Sequence, residues 1–512
     1  MTLSLQRISL LISFVFLFTV FAKAQIKVVK LFEEEKVLPN LLKDYVSRGA
    51  VCNINKMAVE QLFNTKPAAF NLQFSFENKA WEIELKESEL FSKGFFVRTS
   101  GNQPFNYNQN EILHYKGKIK DQPGSFAAIS ILHNEVIAVL ADKNGNINIG
   151  ALTNSQSGDG KEHIIYREAD LIAANPFVCG SDNLPEANQN PLPQFAAPVS
   201  TNAVLNTEPV DIYFEADYSC YTGNGSNITN TVNRATALFN VVTTLYENDS
   251  VYTKMSGIKV WSTTDPYTSL TTTSPVLYAF STNMSSGFPG DLAHLLSRRS
   301  LGGGIAWLNV LCNSAYYRTG VSANLNNTTN PFPTYSWNSM VVTHELGHNI
   351  ASRHTQSCTW PGGAIDNCYT TEGGCAQGPA PVNGGTIMSY CHLTGYGINL
   401  ANGFGPLPGA AIRNAVRTST CIYPRITFST NFNSVTEENA TIENDCLDYS
   451  ILNLKLAVNY TPSQPAIISL LPTHIASPGL QIGADKDVEI STTGFTLSDT
   501  TPQIIQLKIF DD

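Results

Sequence analysis

"THELGHNIASRHTQSC", residues Thr343 to Cys358, places three histidines and a glutamate between His344 and His354. Just upstream, Ser336, Trp337 and Asn338 offer a cap and entry for a helix through Met340, Val341, His344 and His348. Residues four apart differ by about 40° around a helix, one turn along, so His344 and His348 are predicted to aim two imidazoles at one ion. Glu345, three before His348, stands about 60° to its side. From there its carboxylate reaches a water beside the ion rather than the ion itself, and can take a proton from it. His354, beyond a tight turn, supplies a third nitrogen. Three protein ligands with one open position make a catalytic rather than a structural zinc site.

A second stretch, "GGTIMSYCH" from Gly384 to His392, allows Met388 to sit in a turn beneath the metal. His392 is either a fourth nitrogen or an ordinary polar residue after that turn.

Working outward, the 512 residues exceed one hydrophobic core and imply several domains. A formal net charge of -10, with no basic run longer than Arg298-Arg299, argues against a nucleic-acid or anionic-membrane surface. The first residues carry Arg7, an apolar run from Ser9 to Ala22 and then Ala22-Lys23-Ala24. That run is shorter than the roughly 20 residues of a membrane span, so residues 1–24 are expected to be a signal peptide and the chain to be secreted, with no span after its removal. Export makes disulfides available to the ten cysteines.

Trp81, Ile83 and Leu85 alternate as a strand, and the same period runs from Ile119 to Leu140 before an Asn144-Gly145 turn. The prolines between Asn183 and Asp211 mark a linker. After it, Val210, Ile212 and Phe214 read as a strand, Ile228 to Tyr246 as a long amphipathic helix, and Ile258 and Val260 as a strand. Asp291 to Leu296 reads as a further helix, leading to a strand from Ile305 to Cys312. This middle region is α/β, with a sheet buried against helices. Beyond Cys421 short β-like runs take over.

"HELGHNIASRH" followed by "IMSY" resembles the metzincin zinc endopeptidases, with their HExxHxxGxxH motif and Met-turn. "GDLAHLLSRRSLGGGIAWLNVLC" and the downstream cysteines are similar to the reprolysin (adamalysin-like) branch. "HYKGKIKDQPGSFAAISILHNEVIAVLADKNGNINIGAL" resembles a reprolysin propeptide, and "GADKDVEISTTGFTLSDTTPQIIQLKIFDD" resembles the second half of a Calx-beta repeat. The resemblance implies a multidomain chain in which an α/β metzincin zinc-protease catalytic domain follows a β-rich propeptide and precedes a β-sandwich-like domain. The divisions are then signal peptide 1–24, propeptide 25–183, linker 184–207, catalytic domain 208–425 and C-terminal β-domain 426–512.

It further implies a monomeric zinc endopeptidase acting on extracellular proteins and peptides, with His344, His348 and His354 on Zn2+ and Glu345 shuttling the proton. Tyr390 either stabilises the oxyanion or stands as a wall residue. Ile305, Ala306 and Trp307 are either the sheet edge that pairs with a peptide substrate or an interior strand. Asp291 suits a structural Ca2+ or a helix N-cap equally. The family frame pairs Cys312 with Cys421, Cys358 with Cys391 and Cys368 with Cys375, leaving Cys220 and Cys446 to pair with each other or to stay as thiols. Cys179, in "NPFVCGSD", is either a cysteine switch that keeps a proenzyme latent or the disulfide partner of Cys52.

Three departures stand out. Ala351 occupies the motif's glycine position, Thr355 stands where reprolysins carry Asp, and Tyr390 follows Met388 by two as in astacins and serralysins. The alternatives are therefore a serralysin- or pappalysin-like metzincin, or a zinc-binding adhesion protein of weak activity. The presence of Glu345 favours the enzyme.

Overall fold

The computed structural model describes residues 27–422 apart from 35, 153–161, 173–178, 182–183, 185–208, 326–330 and 420, and beyond 425 the backbone of strands alone. The expected signal peptide, most of the expected linker and Cys446 lie outside the described residues. Among the described residues no helix is long and apolar enough to cross a membrane.

The N-terminal region builds a 10-stranded sheet running from Val28–Val29 at one edge to Lys36–Val37 at the other. In Lys79–Glu87 the residues Trp81, Ile83 and Leu85 point inward as their alternation predicted. Phe126–Leu132 and Glu135–Asp142 are instead buried on nearly every residue, because each face meets its own core. Ala127, Ile129, Ala138 and Leu140 pack within this sheet's own cluster, whereas Phe126, Ala128, Ile137 and Val139 join the core of the middle region. Ile228–Asn248 is the long helix laid across that second face, and its Asn240 amide reaches the carbonyls of Tyr115 and Ile129, both at 3.1 Å.

A 7-stranded sheet carries the middle region, in the order Gly304–Ala306, Thr319–Ser322, Leu292–Leu296, Val210–Ala216, Thr253–Val260, Phe91–Thr99, Pro104–Phe105. Phe91–Thr99 comes from the N-terminal half, yet pairs parallel with Thr253–Val260 from Gly257 opposite Phe96 to Val260 opposite Thr99. The expected boundary at 183 and 184 in chain order therefore does not separate the two sheets.

Two element assignments need correction. Leu292–Leu296 is a central parallel strand rather than a helix, and all five residues are buried. A fully buried strand reads as an unbroken apolar run, which a short window does not distinguish from a helical turn. The strand expected over Ile305 to Cys312 stops at Ala306, because the chain turns at Asn309 and Cys312, both with positive φ.

Beyond residue 425 the strands form a 4-stranded and a 3-stranded sheet, all antiparallel. The expected sandwich packing and the Calx-beta resemblance rest on side chains outside the described residues.

Candidate active site

Tyr335–Ile350 is a 16-residue helix buried at every position. It starts one residue before the expected Ser336 entry, and its Thr334 cap makes no side-chain bond. Asn148 of the N-terminal sheet caps it instead, accepting the Ser336 N–H and donating to the Ser336 hydroxyl, both at 2.8 Å. At the other end the Asn309 and Val310 amides donate to the His348 and Asn349 carbonyls at 2.8 Å. The turn through Asn309 and Val310 thus serves the helix end, which is why the strand expected through Cys312 is cut short. Ala351 has φ 175, outside the left-handed region, so the positive φ that would favour glycine is not required there.

His344 and His348 share a face of this helix, and His354 folds back onto them. Their Nε2 atoms lie 3.1 Å (His344 to His348), 3.1 Å (His348 to His354) and 3.2 Å (His344 to His354) apart. The Nδ1 atoms point away, to the Ile387 carbonyl at 2.8 Å, the Ser352 carbonyl at 2.7 Å and a Glu372 carboxylate oxygen at 2.9 Å. Each Nδ1 faces an acceptor and so carries the proton, which leaves three Nε2 lone pairs converging on one point. Burial, reinforced by His348 and His354, pushes His344 well below the usual histidine range, so its imidazole is neutral and able to ligate.

Cys179 occupies the fourth corner. Its Sγ lies 3.5 Å from His348 Nε2 and 3.5 Å from Glu345 Oε2, and the thiol and three imidazoles form one group able to hold an ion. A tetrahedral zinc with N bonds of about 2.05 Å and an S bond of about 2.3 Å requires N to N separations of about 3.3 Å and N to S of about 3.6 Å. The separations found fit that ion. His392 is not in the group; its ring faces Trp337 at 5.4 Å and Tyr390 at 5.8 Å. Cys52, the alternative partner of Cys179, lies in the N-terminal core on the strand Ala50–Asn53.

The segment bearing Cys179 runs along the sheet edge. The Gly180 amide donates to the Gly304 carbonyl at 3.0 Å, and the Ala306 amide donates to the Ser181 hydroxyl at 2.9 Å. Gly304–Ala306 is thus an edge strand, of which Ile305 and Ala306 face the segment while the buried Trp307 ring packs against Tyr278, Tyr316 and Tyr317. The Tyr390 hydroxyl brackets Cys179, accepting its N–H at 3.0 Å and donating to its carbonyl at 3.1 Å. Met388 is fully buried, with its sulfur beneath Gly347, where an added Cβ would meet it at 2.9 Å.

Asp291 precedes a strand and accepts the Asp211 amide at 2.7 Å, so it caps no helix. It belongs to no group able to hold an ion among the described residues, and the Ca2+ expectation has no support.

Of the three expected disulfides only Cys312–Cys421 forms; the others are Cys358–Cys375 and Cys368–Cys391. The local fold imposes the exchange. The Glu372 amide donates to the Gln356 carbonyl and the Cys358 amide to the Glu372 carbonyl, which sets Cys375 against Cys358. The Cys220 thiol donates to the Leu296 carbonyl at 3.3 Å. Glu372, Ser181, Gly304 and Asn148 had no signal in the sequence, since each reaches the site through pairing between distant segments.

Residues 206–397 match the family model described as metallo-peptidase family M12, of the reprolysin type. This segment is therefore similar to the reprolysin-type metallopeptidases. Among solved structures, metalloproteinase-II from Bacteroides fragilis is similar at 13% identity and a TM-score of 0.36, over 64% of this chain and 88% of that one. A chaperone-substrate complex is similar at 17% identity and a TM-score of 0.26, over 41% of this chain and 35% of that one. The matched segment contains the three histidines, Glu345 and Tyr390, while Cys179 lies ahead of it.

Proposed function

We propose that the chain is a secreted zinc endopeptidase of extracellular proteins, made as a latent proenzyme. The observation that carries it is the convergence of three Nε2 lone pairs beside a buried carboxylate, with a thiol at the fourth corner. His344, His348 and His354 would hold the zinc, which when bound supplies a Lewis acid for a peptide carbonyl and lowers the pKa of water toward about 7.

The chain's own residues supply the rest. Glu345, fully buried, accepts the proton of the attacking water and delivers it to the departing amine. The Tyr390 hydroxyl, already bound to a main-chain carbonyl at Cys179, is placed to donate to the oxygen of the carbonyl under attack. The edge strand Gly304–Ala306 orients an extended substrate by main-chain pairing. In the proenzyme Cys179 takes the position the water needs, and Ser181 and Gly180 hold it there. Export is supported by residues 1–24 and by the three disulfides.

The test is Glu345→Gln in the processed protein. It should keep zinc and fold while peptide hydrolysis falls by several orders of magnitude, because the proton acceptor is lost and no ligand is. A variant that cleaves casein at the wild-type rate would overturn the mechanism.

A further inference from the structure

The three imidazoles are not held alike. His344 and His348 sit on one helix and hand their Nδ1 protons to main-chain carbonyls. His354 lies past the helix end, and its Nδ1 meets the carboxylate of Glu372, 18 residues on. We propose that Glu372 is a positioning residue of the metal site, fixing the ring and tautomer of His354 and placing a negative charge behind the one ligand the helix does not hold. The inference rests on the reading of the three histidines as zinc ligands and deepens it.

The surroundings are built to deliver that carboxylate. The Glu372 main chain pairs with the strip just after His354, its amide donating to Gln356 at 3.0 Å and its carbonyl accepting from Cys358 at 2.8 Å. The Gln356 side-chain amide donates to the same Oε1 at 2.8 Å, so the oxygen is fixed from two sides. The Cys358–Cys375 disulfide closes the loop on which Glu372 rides. Thr355, next to His354, carries no charge, so Glu372 is the carboxylate this ligand receives. Glu372 is 28% exposed over a His354 with no exposure, and it therefore also shields the ligand from solvent. A carboxylate on the far nitrogen makes an imidazole a stronger donor to a metal and holds it in the ligating tautomer.

The experiment compares Glu372→Gln and Glu372→Ala with wild type, all as the full chain. Zinc affinity is measured by competition with a chromophoric chelator, and the site is reported separately by the visible absorption of the Co2+-substituted protein. Glu372→Ala should bind zinc about 10- to 100-fold more weakly. Glu372→Gln should lie between, because its amide oxygen still accepts the Nδ1 proton but brings no charge. Both should show a shifted cobalt band and an unchanged melting temperature of the metal-free chain, which a purely structural role would lower. If Glu372→Ala fails to fold, the isosteric Gln variant decides alone. Wild-type zinc affinity and cobalt spectrum in the variants would overturn the inference while leaving the zinc reading intact. A wild-type chain that binds no zinc, or binds it equally after His344→Ala, would overturn both.

Discussion

On the proposed reading of the chain as a latent proenzyme, replacing Cys179 by Ala in the full chain separates the two ways in which its segment would block the site. The thiol fills the fourth corner of the histidine group, and its loss leaves that corner to water. Among the described residues the segment itself remains tied by five hydrogen bonds: two with the Tyr390 hydroxyl, one from Gly180 to Gly304, one from Ala306 to Ser181 and one from the Ser181 hydroxyl to Glu345. At about 1 kcal/mol net for each, these amount to about 5 kcal/mol, which keeps the segment seated in all but about one molecule in 4000. The variant is therefore expected to hydrolyse a quenched fluorescent peptide at about 1/4000 of the rate of the processed enzyme. The wild-type precursor, with a metal–thiolate bond in addition, should be at least about tenfold slower again. Thiol titration supplies a second reading: the buried Cys179 should resist modification in the folded precursor and react faster, though still slowly, once a chelator removes zinc and only the hydrogen bonds keep the segment seated. Equal silence of variant and wild type, at equal zinc content, would refute the view that the thiol blocks the site. A variant as active as the processed enzyme would refute the weight given to the hydrogen bonds.

Two further outcomes follow from the geometry. A Cβ added at Gly304 would lie 2.1 Å from Glu345 Oε1, and Glu345 is fully buried on a helix, so Gly304→Ala should cut kcat by about 10- to 1000-fold with zinc retained; a kcat within twofold of wild type, measured beside metal content, would contradict the packing. His114 and His294 are both buried, and desolvation lowers each to about 3, so both are neutral in the folded chain and take up a proton only on unfolding. The stability they lend is present above about pH 6.5, the unfolded value, and is lost as pH falls toward 3: about 2 kcal/mol each at pH 5. Urea unfolding of the metal-free chain between pH 7 and 5 should show that slope, and His294→Gln should flatten it; an identical slope in the variant would count against the assignment.

How much of this was legible in the sequence depended on whether the information was local. The pairing of His344 and His348 follows from helical spacing alone, and His354 from its place just beyond the helix end, so the three histidines of the metal group are legible in eleven residues. The alternation at Trp81, Ile83 and Leu85 was equally readable because that strand buries one face. Leu292–Leu296 was misread because a strand buried on both faces loses the period that identifies it. The crossed disulfides and Glu372 share one cause: the short pairing between residues 356–358 and Glu372 decides both which sulfurs meet and which carboxylate reaches His354, and neither spacing nor composition encodes that pairing. Phe91–Thr99 was hidden for the same reason, since a strand carries no mark of the sheet it will join.

The rival reading, a zinc-binding adhesion protein, meets a physical difficulty at Glu345. A structural zinc needs its ligands and a closed shell, and Cys179 with the three imidazoles would complete one. A fifth group, a carboxylate with no exposure that accepts from the Ser181 hydroxyl at 3.4 Å and lies 3.5 Å from the thiol, brings a desolvation cost that such a site has no need of. The edge strand is equally hard to place in that reading, because Gly304 must lack a side chain for the Glu345 carboxylate to fit against it. Both features acquire a role once the segment at Cys179 is regarded as removable. The carboxylate then faces the position vacated by sulfur, and the Gly304 carbonyl and Ala306 amide, released from Gly180 and Ser181, are free to pair with an incoming peptide.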